Sequence, residues 1–322
     1  MSSCCAPMRD EGAKKQPTAD GPVSVDLASG AGSEERHSIE QAVVPAQTFR
    51  MGDADGVGYP ADGETPVHPV RLEEFSIDAT SVTNADFARF VAATGYRTEA
   101  ESFGFSAVFH LALAAPKEAV MGPASGTPWW YGVQGADWAH PGGPDSSVAG
   151  LDDHPVVHVS WNDAAAYCTW AGRSLPTEAQ WEAASRGGID GARYPWGPDF
   201  PGKGGKWRAN IWQGSFPRSN TTEDGFLTTA PVRTFSPNAY GLWQTVGNVW
   251  EWCADWFNAR YYARSPKHEP TGAKLGTARV MRGGSYLCHD SYCNRYRNAA
   301  RSSNTPDSSM GNAGFRTVAA SS

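Results

Sequence analysis

From residue 188 to residue 322 the chain has no stretch in which apolar residues recur every three or four positions; it is dense instead in Trp, Gly, Asn and Pro. A segment of that length without helical periodicity has to be built from loops and short strands, because glycine and proline interrupt both regular structures. It shows no repeat at a fixed period and no obvious linker, so it does not divide into small units. Three helices can be placed before it by their ends. The first opens at Thr83 with Asp86 three residues later, carries Phe87, Phe90 and Val91 on one face, and closes at Gly95. The second opens at Ser160 with Asp163 as its capping partner, brings Trp161, Ala165 and Cys168 together, and closes at Gly172. The third follows Pro176, takes Thr177 and Gln180 as a capping box, turns Trp181 and Ala184 inward, and closes at Gly187. Alternating segments such as Thr48-Phe49-Arg50-Met51 and Val67-His68-Pro69-Val70-Arg71-Leu72 predict strands near the start of the folded region. The expectation is a single α+β domain, low in regular secondary structure, over residues 39–322.

Residues 1–38 are rich in Ser, Gly, Ala, Lys and Glu without apolar periodicity, the composition of a disordered tail. The Cys4-Cys5 pair within it reads as an exposed pair with no role. Between Met1 and Gln16 there is no apolar core of a signal peptide, and no run of about 18 apolar residues occurs; the richest stretch, Phe103 to Ala115, is broken by Ser106 and His110. A cytoplasmic monomer with no membrane partner is therefore expected. A net charge of -7 and a pI near 5.6 provide no basic stripe, which argues against nucleic acid as a partner. Six cysteines are too few for a disulfide scaffold, so each needs its own account. Cys168 is expected in a helix core, and Cys253, beside Trp252, as a buried thiol.

Cys288 and Cys293 stand five positions apart. In an extended chain their α-carbons would be about 16 Å apart, so the sulfurs meet only if residues 289–292 turn, as Asp290 and Ser291 favour. Arg282, His289, Arg295, Arg297 and Arg301 surround the pair in sequence, and positive charge near a thiol favours the thiolate. Two thiolates make an incomplete zinc site but suit a soft ion such as copper(I), with room for a third sulfur; a disulfide or two buried thiols fit the spacing equally well. No GxSxG elbow, phosphate loop or spaced histidine pair offers other chemistry.

The segments Arg282-Gly283-Gly284-Ser285-Tyr286-Leu287-Cys288-His289, Tyr292-Cys293-Asn294-Arg295-Tyr296-Arg297 and Ala300-Arg301-Ser302-Ser303-Asn304-Thr305-Pro306-Asp307-Ser308 strongly resemble the formylglycine-generating enzymes of the sulfatase-modifying factor family. The resemblance continues upstream through Gly247-Asn248-Val249-Trp250-Glu251-Trp252, Asn210-Ile211-Trp212-Gln213-Gly214, Leu175-Pro176-Thr177-Glu178, His154-Pro155-Val156-Val157 and Gly63-Glu64-Thr65-Pro66-Val67-His68, nearly everything except the tail. It implies a fold related to C-type lectins. It also implies oxidation of the cysteine in a Cys-x-Pro-x-Arg segment of unfolded sulfatase polypeptide, with dioxygen and a thiol reductant, leaving an aldehyde. By the same resemblance Cys288 and Cys293 bind Cu(I), Ser285 and Trp250 border the oxygen pocket, and Asn312, Tyr292 and His289 meet the substrate. Two Ca2+ sites are implied as well, one at Asn210, Ile211, Asp224 and Phe226 and a second at Gln244, Gly247, Val249 and Glu251. Gln244 departs from the usual asparagine. Secreted members carry further cysteines at positions that include Ser185, Asn298 and Thr317 here, which again suits a cytosolic protein. Rival expectations are a non-catalytic peptide- or glycan-binding paralogue, which should lack one paired cysteine, and the iron-dependent ergothioneine-forming branch, whose extra helical domain has no counterpart. A thiol-disulfide exchanger would show Cys-x-x-Cys, which is missing.

Overall fold

The structure, a computed structural model, describes Pro7 and residues 36–320. The tail reading, with Cys4 and Cys5, therefore falls largely outside the described residues. Its last positions do not: His37 is buried, and its ring meets Asp78 Oδ1 at 2.7 Å and the Tyr167 hydroxyl at 3.0 Å.

The helices form where their caps place them. In α1 (Asn84–Thr94) Thr83 Oγ1 accepts from Asp86 N, the Asp86 carboxylate accepts in return from Thr83 N, and Gly95 closes the helix in the left-handed conformation that costs glycine least. The same reciprocal bonds open α3 (Trp161–Ala171) at Ser160 and Asp163, and α4 (Glu178–Arg186) at Thr177 and Gln180. A further helix, α2 (Glu99–Phe103), has the same box at Thr98 and Glu101. The inward face of α3 differs from the expectation. Ala164, Tyr167, Cys168 and Ala171 are buried, whereas Trp161 and Ala165 lie at the edge. Trp161 there donates to Cys253 O at 2.9 Å and carries the Arg279 guanidinium over its ring at 3.8 Å.

Beyond Arg186 no α-helix occurs among the described residues. Among the described residues, four small antiparallel sheets frame the molecule. One sheet runs β1 (Gln41–Val44), β4 (Phe75–Asp78), β15 (Val318–Ala319), β8 (Arg173–Ser174); β2 (Gln47–Met51) pairs with β3 (His68–Leu72); β7 (Thr127–Gln134) lies between β5 (Phe105–Phe109) and β6 (Val120–Ala124); and β9 (Gly214–Ser215) pairs with β10 (Ser219–Asn220). The sheet that builds the site runs β13 (Arg301–Asn304), β12 (Arg279–Arg282), β11 (Trp250–Trp256), β14 (Ala313–Gly314). Its neighbours are antiparallel except β11 and β14, which run parallel with Trp250 opposite Ala313. The largest apolar cluster joins α1 and α3 to Trp212, Trp250, Trp252, Cys288 and Cys293, so the two thiols belong to the same core as the helices. No helix of the described residues is long and apolar enough to cross a membrane.

Candidate active site

Chain leaves β12 through Gly283 and Gly284, both at positive φ; a Cβ on either would sit 2.8 Å from Thr245 O or 2.7 Å from Arg295 O. Only glycine lets the backbone descend this closely between two other segments. Below them the carbonyl of Ser285 accepts from Cys288 N at 2.9 Å, and the His289 carbonyl accepts from Tyr292 N at 3.0 Å and Cys293 N at 2.7 Å. That turn over residues 289–292 brings Sγ of Cys288 and Sγ of Cys293 to 3.3 Å. A disulfide would require about 2.05 Å, so these are two separate sulfurs. Both are fully buried.

Around the sulfurs the donors are backbone and amide groups. Ser285 N points at Cys288 Sγ over 3.4 Å, and the Ser285 hydroxyl accepts from Asn312 Nδ2 at 2.9 Å. Asn312 O in turn accepts from Trp250 N at 2.8 Å, and Cys288 O accepts from Trp212 N at 3.1 Å. Cys288, Cys293, Ser285, Asn312 and Trp250 are thus brought together on one floor. The indole N–H groups of Trp250 and Trp212 are buried there with no hydrogen-bond acceptor among the described residues. Tyr292 and His289 stand higher, half-buried. Tyr292 stacks on Phe216 with ring centres 4.2 Å apart and meets Trp129 edge-on at 5.1 Å, making an aromatic rim beside the thiols. His289 Nδ1 meets the Ser291 hydroxyl at 2.8 Å.

The arginines do not serve as expected. Arg282 pairs with Glu178 at 2.9 Å and with Glu182; Arg301 pairs with Glu178 at 2.5 Å. Arg295 pairs with Asp62 at 2.6 Å and Arg297 with Glu64 at 2.8 Å. All are buried, and each faces a carboxylate, with Glu178 shared between Arg282 and Arg301. Their charge is spent on distant acids, so they anchor the loops carrying the site rather than supplying net positive charge to the thiols. Glu178, Glu182, Asp62 and Glu64 are residues that sequence reading assigned no role, although Glu64 and Glu178 lie in the segments that resemble the family.

The two loop-oxygen sites differ. At the first, Asn210 Oδ1 is buried with no partner among the described residues, while Gln213 Nε2 donates both to Ile211 O and to Asp224 Oδ2, the latter at 2.7 Å. Asp224 also accepts from Phe226 N at 3.0 Å. Burial lifts the Asp224 carboxyl above its ordinary range, so this oxygen cluster has an unmet need for positive charge. These residues fit a hard cation. At the second, Gln244 Oε1 is likewise orphaned, and Gly247 approaches so closely that a Cβ would lie 2.5 Å from Asn210 O; Val249 is buried beside them. The Glu251 carboxylate, however, accepts from Arg316 Nε at 2.7 Å and Nη2 at 2.8 Å, from Trp181 Nε1 at 2.7 Å and from the Ser81 hydroxyl at 2.8 Å. Four donors occupy its oxygens, so an ion at this site would share Glu251 with Arg316. Gln244, Gly247 and Val249 face no such competing charge.

Among the described residues Cys168 and Cys253 are reduced and buried, and burial pushes both thiols well above their ordinary range. Ser185 donates to Asn298 Oδ1 at 2.8 Å.

With this geometry in view, the sequence profile of the sulfatase-modifying factor enzyme 1-like domain matches residues 28–321. The chain belongs to this family. It is 63% identical over 287 residues to a protein of Streptomyces coelicolor named formylglycine-generating enzyme, covering 89% of this chain and 91% of that one. A mouse protein of the same name is 53% identical over 86% of this chain and 74% of its own. A bovine protein named inactive C-alpha-formylglycine-generating enzyme 2 is 42% identical, covering 87% of each. Among solved structures, PvdO from Pseudomonas aeruginosa superposes with a TM-score of 0.64 at 22% identity, over 93% of this chain and 99% of that one, a likeness of fold alone.

Proposed function

We propose that the chain takes an extended, unfolded sulfatase segment into the cleft above Cys288 and Cys293 and oxidises the cysteine of its Cys-x-Pro-x-Arg sequence to formylglycine. Family membership supports the coarser statement: the chain is an oxidoreductase acting on a protein cysteine. The observation that carries the finer one is the buried pair of unlinked sulfurs 3.3 Å apart. Two thiolates and no third His, Cys, Asp or Glu within reach among the described residues form the donor set of a soft, low-coordinate ion. Copper(I) held there by Cys288 and Cys293 would supply one-electron chemistry with dioxygen and a third position for a thiol. The protein's own part is positioning. Asn312 orients the Ser285 hydroxyl over the pocket, Trp250 and Trp212 wall it with buried indoles, and the apolar floor excludes bulk water. Tyr292, with Trp129 and Phe216, offers flat apolar surface to the flanks of a bound peptide, and His289 a polar contact at the mouth.

Asn210, Ile211, Asp224 and Phe226 would hold a calcium ion that pins the loops behind the floor, and a second ion at Gln244, Gly247 and Val249 would share that support. Cytoplasmic residence and a monomeric state complete the reading; the Ser185–Asn298 hydrogen bond supports a reducing compartment. The non-catalytic alternative predicts a damaged thiol pair, and both sulfurs are in place. Mass spectrometry of a Cys-x-Pro-x-Arg peptide incubated aerobically with copper(I) and a thiol reductant tests the proposal. The parent should form the aldehyde, and Cys288→Ser and Cys293→Ser should not; an unconverted peptide in the presence of demonstrably copper-loaded parent would sink it.

A further inference from the structure

Residues 5–9 read Cys5-Ala6-Pro7-Met8-Arg9, the same Cys-x-Pro-x-Arg spacing as the proposed substrate. Sequence reading gave Cys5 no role. Pro7, the residue of this segment that the structure describes, is buried, and its carbonyl accepts from Asn304 Nδ2 at 3.1 Å across 297 positions of sequence. Asn304 is itself fully buried at the end of β13. Its Oδ1 is taken by Thr305 N at 2.9 Å, which fixes the amide with its N–H groups toward Pro7 and toward Met310 Sδ at 3.8 Å. Met310 lies in the apolar cluster with Cys288 and Cys293 and leads within two residues to Asn312, the donor to Ser285. Pro7 is thus seated on the wall that continues into the thiol pocket.

Chain length allows this docking within one molecule. Residues 8–35 separate Pro7 from Arg36, and that much chain can reach up to on the order of 90 Å, so the segment can meet the cleft of its own molecule at a raised effective concentration. Cys5 stands two positions before Pro7, the offset that a Cys-x-Pro substrate has.

We propose that residues 5–9 are a built-in substrate: the segment docks through Pro7 on Asn304, and Cys5 is converted to formylglycine by the chain's own site. This rests on the function proposed above. The step balances as one protein –CH2–SH, one dioxygen and two reductant thiols giving –CHO, hydrogen sulfide, water and one reductant disulfide. The C–S bond is cleaved and a C=O bond forms; the reductant supplies the two further electrons and two protons. Until it is modified, the segment competes with any other peptide for the cleft.

The full chain, loaded with copper(I) and incubated with dioxygen and dithiothreitol, is digested and residue 5 is analysed by mass spectrometry and by capture with an aminooxy probe. Beside it a separate Cys-x-Pro-x-Arg peptide reports on the site. An aldehyde at residue 5 is expected in the parent and none in Cys288→Ser. A metal-free arm measures anisotropy of a labelled peptide carrying Ser in place of Cys. Pro7→Ala, by removing the ring's buried apolar surface, and Arg9→Ala, by removing the cation of the motif, should weaken the tail's hold and raise the affinity for that added peptide about tenfold. Both variants should convert saturating added peptide at the parent rate. If the added peptide is converted while residue 5 stays a thiol, the proposal is overturned and the function stands; unchanged affinity in both variants overturns the docking. If copper-loaded protein converts neither, the proposed function itself has failed and the oxidation of Cys5 with it.

Discussion

Residues 84–186 and residues 188–319 are both densely buried, yet different forces hold their backbone. In the first, reciprocal caps at Thr83, Thr98, Ser160 and Thr177 define where helices begin, and apolar faces press them together. In the second no α-helix occurs among the described residues to carry the load, and buried arginines do it. Arg282, Arg295, Arg297, Arg301 and Arg316 each reach a carboxylate far away in sequence and also, in several cases, backbone carbonyls; Arg301 Nη1, for instance, donates to Gly63 O at 2.9 Å. Irregular backbone leaves carbonyls without regular partners, and a guanidinium with five donors can satisfy several at once. The site sits in the second region, where geometry is set by long-range charge pairs.

The comparison breaks first at Glu178, which accepts from Arg282, Arg301 and the Tyr262 hydroxyl. Glu178→Ala strands buried positive charge and should cost about 3–5 kcal/mol in urea denaturation. A loss below about 1 kcal/mol would show that ion pairs are not what fixes this half. Calcium removal comes next. If the loops at Asn210 and Asp224 bind calcium at a hundred times its dissociation constant, chelation should cost about 2.7 kcal/mol. Since Glu251 is engaged by Arg316, the chelation-induced drop in melting temperature should be the same in Glu251→Gln; its disappearance would show that the ion depends on Glu251.

A third test uses His158, buried, with ring nitrogens meeting the Ser106 hydroxyl and Pro141 O at 2.8 Å each. Burial pulls its pKa down from 6.5 to about 4. The unfolded chain therefore binds a proton in that window that the folded chain refuses, so stability present at neutral pH is lost as pH falls from about 6.5 toward about 4, at roughly 1.4 kcal/mol per pH unit. His158→Gln should flatten this portion of the pH–stability curve; an unchanged slope would assign it elsewhere. The smallest effect belongs to the capped half. Thr177→Ala should cost about 1 kcal/mol in the same denaturation assay, a loss confined to one helix start.

Legibility in the sequence followed the same division. Caps are local, three residues from donor to acceptor, so α1, α3 and α4 were placed at their observed ends. The Thr98-x-x-Glu101 box was equally visible, but five helical residues carry no apolar period to accompany it. The face of α3 was misjudged because Trp161, the largest apolar residue there, prefers an edge where its indole N–H finds a carbonyl. At the site, the turn joining Cys288 to Cys293 was written in Asp290 and Ser291, whereas the arginines' partners lie a hundred or more positions away and leave no mark in local pattern. Residue chemistry showed that the arginines were charged, not that they were already neutralised. Asn304 and the rim of Trp129 and Phe216 were missed for the same reason.

The bond between Ser185 and Asn298 has a practical bearing on the chemistry proposed. An oxidase that consumes thiols must operate in a bath of its own co-substrate, which cleaves accessible cross-links. Where a hydroxyl and an amide close the loop instead, that reagent finds nothing to cut, and the scaffold stays indifferent to the redox currents passing a few residues away.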